Sequence, residues 1–229
     1  IGLAKCALPR SIYPIVAQTI LESVYYPLSE NADGRISKVN VPFLVSESCK
    51  SSATLVGCGL GVCDDTLKIV FSLIENSTTP LVLDADALNC VAKQPEILLR
   101  KKAPIIITPH PGEMSRLTGL ATPLVNAERE RVALDFAQKY GVVTVLKGAG
   151  TVIASPNGKV LVNPTGNSGM ATGGSGDVLA GMTASGRKCV FISRSGSISP
   201  RPCRRHCRRK IRQNLNAPHR PDKLHPTCI

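Results

Sequence analysis

Tryptophan is absent from the 229 residues, and aromatic side chains make up only 3% of them. Broad surfaces that stack nucleic-acid bases need such rings, so recognition of that kind is excluded. No apolar run approaches the roughly 18 residues that a membrane-spanning helix requires. Ile1-Gly2-Leu3-Ala4-Lys5 reads as neither a signal nor a transit peptide, and a cytoplasmic protein is expected. Acidic residues are scarce beside basic ones, 16 against 28, giving a net charge of +12. A charge of that size ordinarily points to nucleic acid or acidic membranes. Its location changes the reading. Residues 183–229 hold twelve Lys and Arg against one acid, Asp222, so +11 sits there and the first 182 residues carry +1. Paired cysteine spacing is also lacking. Cys6, Cys49, Cys58, Cys63 and Cys90 sit in apolar or Gly-rich surroundings and are expected to be small buried residues of a reducing compartment. Cys203-Arg204-Arg205-His206-Cys207 offers metal-ligand types, but no second pair at ligand spacing supports a zinc site.

What is present is globular: 43% hydrophobic and 19% charged residues. Strand and helix patterns alternate through residues 1–182. Gly2 to Leu8 reads as a strand, Arg10 to Ile20 as a helix, and Val24 to Leu28 as a strand with Pro27 at an edge or end. Ala53 to Gly57 is a buried strand running into a Gly-rich turn. Asp64 to Asn76 is helical, with Leu67, Val70, Phe71 and Ile74 on one face. Leu81-Val82-Leu83 and Ile105 to Thr108 are continuous apolar runs, as in strands covered on both faces. A helix over Ala127 to Tyr140, capped by Asn126 and stopped by Gly141, leads to a strand over Val142 to Leu146. Thr151 to Ala154 and Lys159 to Val162 form a hairpin around Pro156-Asn157-Gly158. Repeated strand-then-helix predicts a layered α/β domain with a mostly parallel central sheet.

Ligands of such sheets bind beyond the carboxyl ends of the strands, and four unusual segments fall there. Gly57-Cys58-Gly59-Leu60-Gly61 permits close approach of backbone to a ligand, or is a plain tight turn. Asp84 and Asp86 bind a metal or polar substrate, or cap a helix. His110, between Pro109 and Pro111, hydrogen-bonds a ligand or acts in acid–base chemistry, or is a surface loop residue. The run from Gly166 to Gly181 is the most informative. A Gly-rich segment feeding a helix presents several N–H groups and the positive end of the dipole, which suits a phosphate. Asp177 stands at the mouth of that anion hole, placed to take a proton from an attacking hydroxyl. An apolar helix start straight after Asp177 argues against a mere flexible linker. Lys147-Gly148-Ala149-Gly150-Thr151, at another strand end, offers a lysine and bare backbone for a nucleotide phosphate.

Val82-Leu83-Asp84-Ala85-Asp86-Ala87-Leu88-Asn89, then Ile107 to Leu117 with Thr108-Pro109-His110-Pro111-Gly112-Glu113, then Lys147 to Thr151, resemble the NAD(P)H-hydrate dehydratases of the ribokinase-like superfamily. Asn163-Pro164-Thr165-Gly166-Asn167 and Gly173-Gly174-Ser175-Gly176-Asp177-Val178-Leu179 continue the likeness in order, over residues 1–182. The Thr-Pro-His-Pro-Gly-Glu form is similar to the ADP-dependent branch. The resemblance implies a three-layer ribokinase-like domain that phosphorylates the C6 hydroxyl of (6S)-NAD(P)H hydrate with ADP, then eliminates phosphate to restore NAD(P)H, leaving AMP. It implies Asp177 as base in contact with the hydrate, Gly61 and His110 lining the hydrate site, and Lys147, Gly148, Ala149, Gly150, Thr151 and Gly176 holding the nucleotide. Mg2+ would bridge phosphates, with no metal held by protein ligands, and a homotetramer is expected.

Against that pattern, a strand and Gly/Ala-rich segment that members carry before the position of Ile1 is missing, and Cys58 stands where proline is common. After Met182 the chain turns to Arg, Ser, Pro and Cys. A truncated start and a reading-frame shift near Thr183 are expected, with residues 183–229 a disordered basic tail and the isolated chain less stable and slower than its relatives. Other readings stay open: a small-molecule kinase of the same superfamily, of hydroxymethylpyrimidine or hydroxyethylthiazole type, or a nucleic-acid-binding protein using Arg204 to Lys210.

Overall fold

The computed structural model describes residues 3–186 and, beyond them, the backbone of two short strands, Phe191–Ile192 and Ile198–Ser199, which pair antiparallel. Expectations for the tail, including its disorder, the Arg204–Lys210 arm and the grouping of Cys203, His206 and Cys207, lie outside the described residues. Among the described residues, no helix is long and apolar enough to cross a membrane.

The chain opens with β1 (Lys5–Pro9), α1 (Tyr13–Thr19) and β2 (Val24–Leu28), and the two strands pair parallel. Next come α2 (Val41–Lys50), β3 (Thr54–Val56), α3 (Asp64–Asn76), β4 (Leu81–Leu83), α4 (Asp86–Val91) and β5 (Ile105–Ile107). Then follow α5 (Pro111–Thr118), α6 (Thr122–Ala127), α7 (Arg129–Tyr140), β6 (Val143–Leu146), β7 (Thr151–Ala154), β8 (Val160–Asn163) and α8 (Ser175–Ser185). Strands β3 to β8 form one sheet in sequence order. The steps from β3 to β6 are parallel, and β7 and β8 add an antiparallel edge.

Apolar, largely β-branched triplets explain the centre of this sheet: β4 and β5 are buried throughout, and helices must cover both their faces. Right-handed crossovers between neighbouring parallel strands place α3, α4 and α7 on one face. There Ile69, Val70, Leu73 and Ile74 of α3 and Val132, Phe136 and Tyr140 of α7 are buried. Each such side chain stabilises the fold by about 1.5–3 kcal/mol. Helix α8 packs against β3 and β4.

Several elements depart from the sequence reading. The expected helix over 127–140 starts two residues later, as α7; α6 precedes it, and the two helices break at Glu128 (φ −124, ψ 41). Pro123 starts the first of them, and Asn126 lies inside it and caps nothing. Gly141 does stop α7, in the left-handed region at φ 63. Helix α2 had no counterpart in the reading; Pro42 in its first turn is compatible with a helix start. Of the five cysteines expected to be buried, only Cys90 is. Cys58 is exposed and the other three are half-buried, all five with free thiols.

Candidate active site

Register decides which residues share the ligand-facing end of the sheet. Val56, Leu83 and Ile107 lie opposite one another, so their strands end at one level and the loops that follow stand side by side. Those loops are bonded to their neighbours: Asp84 N donates to Val56 O (3.1 Å), Thr108 N to Leu83 O (3.1 Å) and Lys147 N to Pro109 O (2.8 Å). Gly57, at φ +127, makes the tightest approach, since a Cβ there would fall 1.8 Å from the Asp84 carbonyl oxygen. Only glycine accepts both that backbone and that contact.

The two carboxylates after β4 do not cap the helix that follows. Its N-cap is Ala85, which makes no capping bond. Asp84, 1% exposed, receives Lys147 Nζ at 2.7 Å on Oδ1. Asp86 Oδ2 accepts from Gly61 N at 2.7 Å, and Asp86 Oδ1 from Asn89 Nδ2 at 3.3 Å. Both side chains therefore tie neighbouring loops together. His110 is a cap of α5: its Nδ1 accepts from Gly112 N (3.0 Å) and Glu113 N (3.3 Å), while Glu113 Oε2 accepts from His110 N (2.7 Å). The imidazole is still half exposed, with Nε2 at 3.5 Å from Glu113 Oε1. Burial pushes the Glu113 carboxyl above its ordinary value, against the pull of the His110 N–H and of Lys147, whose Nζ lies 3.9 Å away.

Over this frame sits the start of α8. A Cβ on Gly176 would meet Lys147 Nζ at 3.5 Å, which places the helix N-terminus beside the lysine. Gly174 begins the helix at φ 86 without a side-chain cap, and Asp177 is the acidic residue of its first turn, at the positive end of the dipole. Nothing lies within 4 Å of where Cβ atoms of Gly173 and Gly174 would be, and the space before the helix is open. The donor atoms of Asp177, Asp84 and Cys58 lie within 4.8 Å of one another. Burial, a hydrogen bond to Asp177 and the nearby carboxylates push the Cys58 thiol up to about 12, so it is protonated at neutral pH.

The Lys147–Thr151 loop turns β6 into β7, with Gly148 and Gly150 at positive φ and Thr151 Oγ1 donating to Gly148 O at 3.1 Å. A cavity of about 580 Å³ opens beside it, lined in part by Asn126, Arg129, Ala149, Gly150 and Val162. The structure thus brings Lys147, Gly176 and Asp177 together. Gly61 and His110 stand on adjoining loops, joined to that group through Asp86 and Glu113. Cys58, Glu113 and Arg129 were not singled out as site residues. Glu113 is three positions after the marked histidine and Cys58 lies inside the marked Gly57–Gly61 turn, whereas Arg129 carries no signal in the sequence.

A carboxylate, a lysine and an uncapped helix start at the strand ends make a site for phosphoryl chemistry. The family model for NAD(P)H-hydrate dehydratase matches residues 16–185. The chain belongs to that family. Among curated relatives of this chain, the Bifunctional NAD(P)H-hydrate repair enzyme Nnr of Thermofilum pendens is 43% identical over 183 residues, 80% of this chain and 35% of that protein. The ADP-dependent (S)-NAD(P)H-hydrate dehydratase of Neisseria meningitidis serogroup B is 41% identical over 137 residues, 58% of this chain and 46% of that one. A crystal structure of the ADP/ATP-dependent NAD(P)H-hydrate dehydratase from Bacillus subtilis, co-crystallized with ATP/Mg2+, aligns with TM-score 0.64 and 30% identity. That alignment covers 80% of this chain and 61% of the Bacillus protein. The chain thus spans about a third of the length of the bifunctional relative, and its fold is ribokinase-like.

Proposed function

We propose that this domain catalyses ADP-dependent dehydration of (6S)-NAD(P)H hydrate to NAD(P)H, releasing AMP and phosphate, in the cytoplasm. The carrying observation is the meeting of the α8 N-terminus and Asp177 with Lys147 at the strand ends. The Asp177 carboxylate takes the proton of the C6 hydroxyl as its oxygen attacks the β-phosphorus of ADP, and AMP leaves. First-turn N–H groups of α8 stabilise the charge on the transferred group. Phosphate then leaves C6, a proton is lost from the neighbouring carbon, and the ring double bond returns. Lys147 to Thr151 and Gly176 hold the nucleotide; Gly61 and His110 line the hydrate pocket.

Mg2+ fits this site as an ion carried on phosphate oxygens rather than in a cage of protein ligands. Asp84 and Asp177 supply oxygens, but Asp84 already balances Lys147 and the third donor is a protonated thiol. When bound, the ion supplies neutralisation of phosphate charge.

Return of reduced-nicotinamide absorbance from prepared NADH hydrate tests this reading. Recovery with ADP is expected, and Asp177→Asn should lower kcat about 10²–10⁴-fold while ADP still binds. A stable phosphorylated product without NADH would make the domain a kinase instead, and no recovery with either ADP or ATP would overturn the proposal.

A further inference from the structure

Arg129 opens α7, away from the Asp177 cluster, and its guanidinium spans the base of the Lys147–Thr151 loop. Its Nη2 lies 3.0 Å from Leu146 O, 3.3 Å from Lys147 O and 3.5 Å from Gly150 O. Gly148 rests directly on the guanidinium: a Cβ there would come within 2.8 Å of Nη1 and 2.9 Å of Nη2. The buried Nε has no hydrogen-bond partner among the described residues, so the group sits there at some expense in lost solvation. We infer that Arg129 is a positioning residue that holds the nucleotide loop in shape by gathering its carbonyl oxygens on the side away from the ligand.

The physical need is specific. Three carbonyl oxygens at a loop that receives phosphates would repel them if left free to turn outward. Nη2 alone meets all three, and the planar, permanently charged group that carries it lies against Gly148, a placement that the flexible point charge of a lysine does not fix. Glycine at position 148, with φ +149, is then required because any side chain would displace the fork.

This inference rests on the nucleotide-binding reading of the loop, and its test separates the two. The full chain is compared with Arg129→Lys, Arg129→Gln and Gly148→Ala by ADP titration, steady-state kinetics and tryptic cleavage after Lys147 read by mass spectrometry. The expected result is ADP affinity lower by about tenfold or more in all three variants. In the two Arg129 variants the KM for hydrate should hold and kcat at saturating ADP should stay within about threefold. Cleavage after Lys147 should be faster in each. ADP affinity unchanged in Arg129→Gln would overturn the inference, as would equal rises in both KM values. Should the wild-type chain bind no ADP, the functional reading fails, and the cleavage rate alone decides whether Arg129 holds the loop; an unchanged rate overturns that too.

Discussion

Around Asp84 the backbone is tied on several sides, whereas from Val162 to Gly174 every residue is exposed. Gly57, Asp84, Asp86, His110 and Lys147 are joined across four loops by backbone bonds and a buried ion pair. Past β8, from Pro164 to Gly173, the bonds reach no further than three positions: Thr165 N to Asn163 Oδ1, Gly169 N to Asn167 Oδ1 and Met170 N to Asn167 O. Met170 is 62% exposed, and α8 buries only Ala180. A region with few buried contacts and local bonding opens at little cost in free energy, while an interlocked one opens only with the domain. The strand-end loops are therefore preorganised and fix where the charges stand before any ligand arrives. Among the described residues, the glycine-rich segment has no such bracing from neighbouring loops.

Alanine replacements of one glycine in each region give the largest expected separation. In Gly57→Ala the new Cβ and the Asp84 carbonyl cannot share space, so β3 and β4 must part at their ends. The loss should exceed about 4 kcal/mol, seen as a missing or non-cooperative thermal transition. Gly173→Ala meets nothing within 4 Å and has no positive φ, so stability should stay within about 0.5 kcal/mol. Similar shifts in the two melts would show that the loops are not locked as described.

Charge gives the next test. Asp84→Asn removes the counter-charge of Lys147, whose side chain is only 18% exposed, and should cost about 3–5 kcal/mol in urea unfolding. Adding Lys147→Met should restore a good part of that loss, since the ammonium left without its hydrogen-bonded carboxylate is then gone. Additive losses in the double variant would mean that the pair contributes nothing as a pair.

The same division governs how much could be read from sequence. Strands β4, β5 and β6 show as apolar runs because burial on both faces demands it, and Gly141 announces the end of α7 by local chemistry. In the stripe of α3, Val70 and Ile74 are buried as expected, but Ile69 and Leu73 join them while Leu67 and Phe71 are only partly buried. The core is chosen by tertiary contacts there, not by the helix alone. Glycines before Asp177 are legible because an uncapped helix start is a local device. The Lys147–Asp84 bond joins residues 63 positions apart, and the Cys58–Asp177 contact is longer still. Neither leaves a spacing rule, since the register of β3 to β6 and the packing of α8 on β3 and β4 bring those residues together.

The smallest effect is expected at the turn between the two carboxylates. Ala85 has φ 49 and ψ −117, the one described non-glycine residue at positive φ. Such backbone costs about 1–3 kcal/mol and persists only where the surroundings impose it. The surroundings here are explicit, because Asp84 is drawn to Lys147 and Asp86 to Gly61 N, and the residue between them must bend to serve both. Ala85→Gly removes the steric penalty but adds about 0.5–1 kcal/mol of backbone entropy to be lost on folding. A net gain of about 1 kcal/mol is the expected outcome in urea unfolding, with turnover within about twofold of wild type because both carboxylates keep their partners. A loss of stability would mean that the bend is relaxed in solution and that the carboxylates do not impose it.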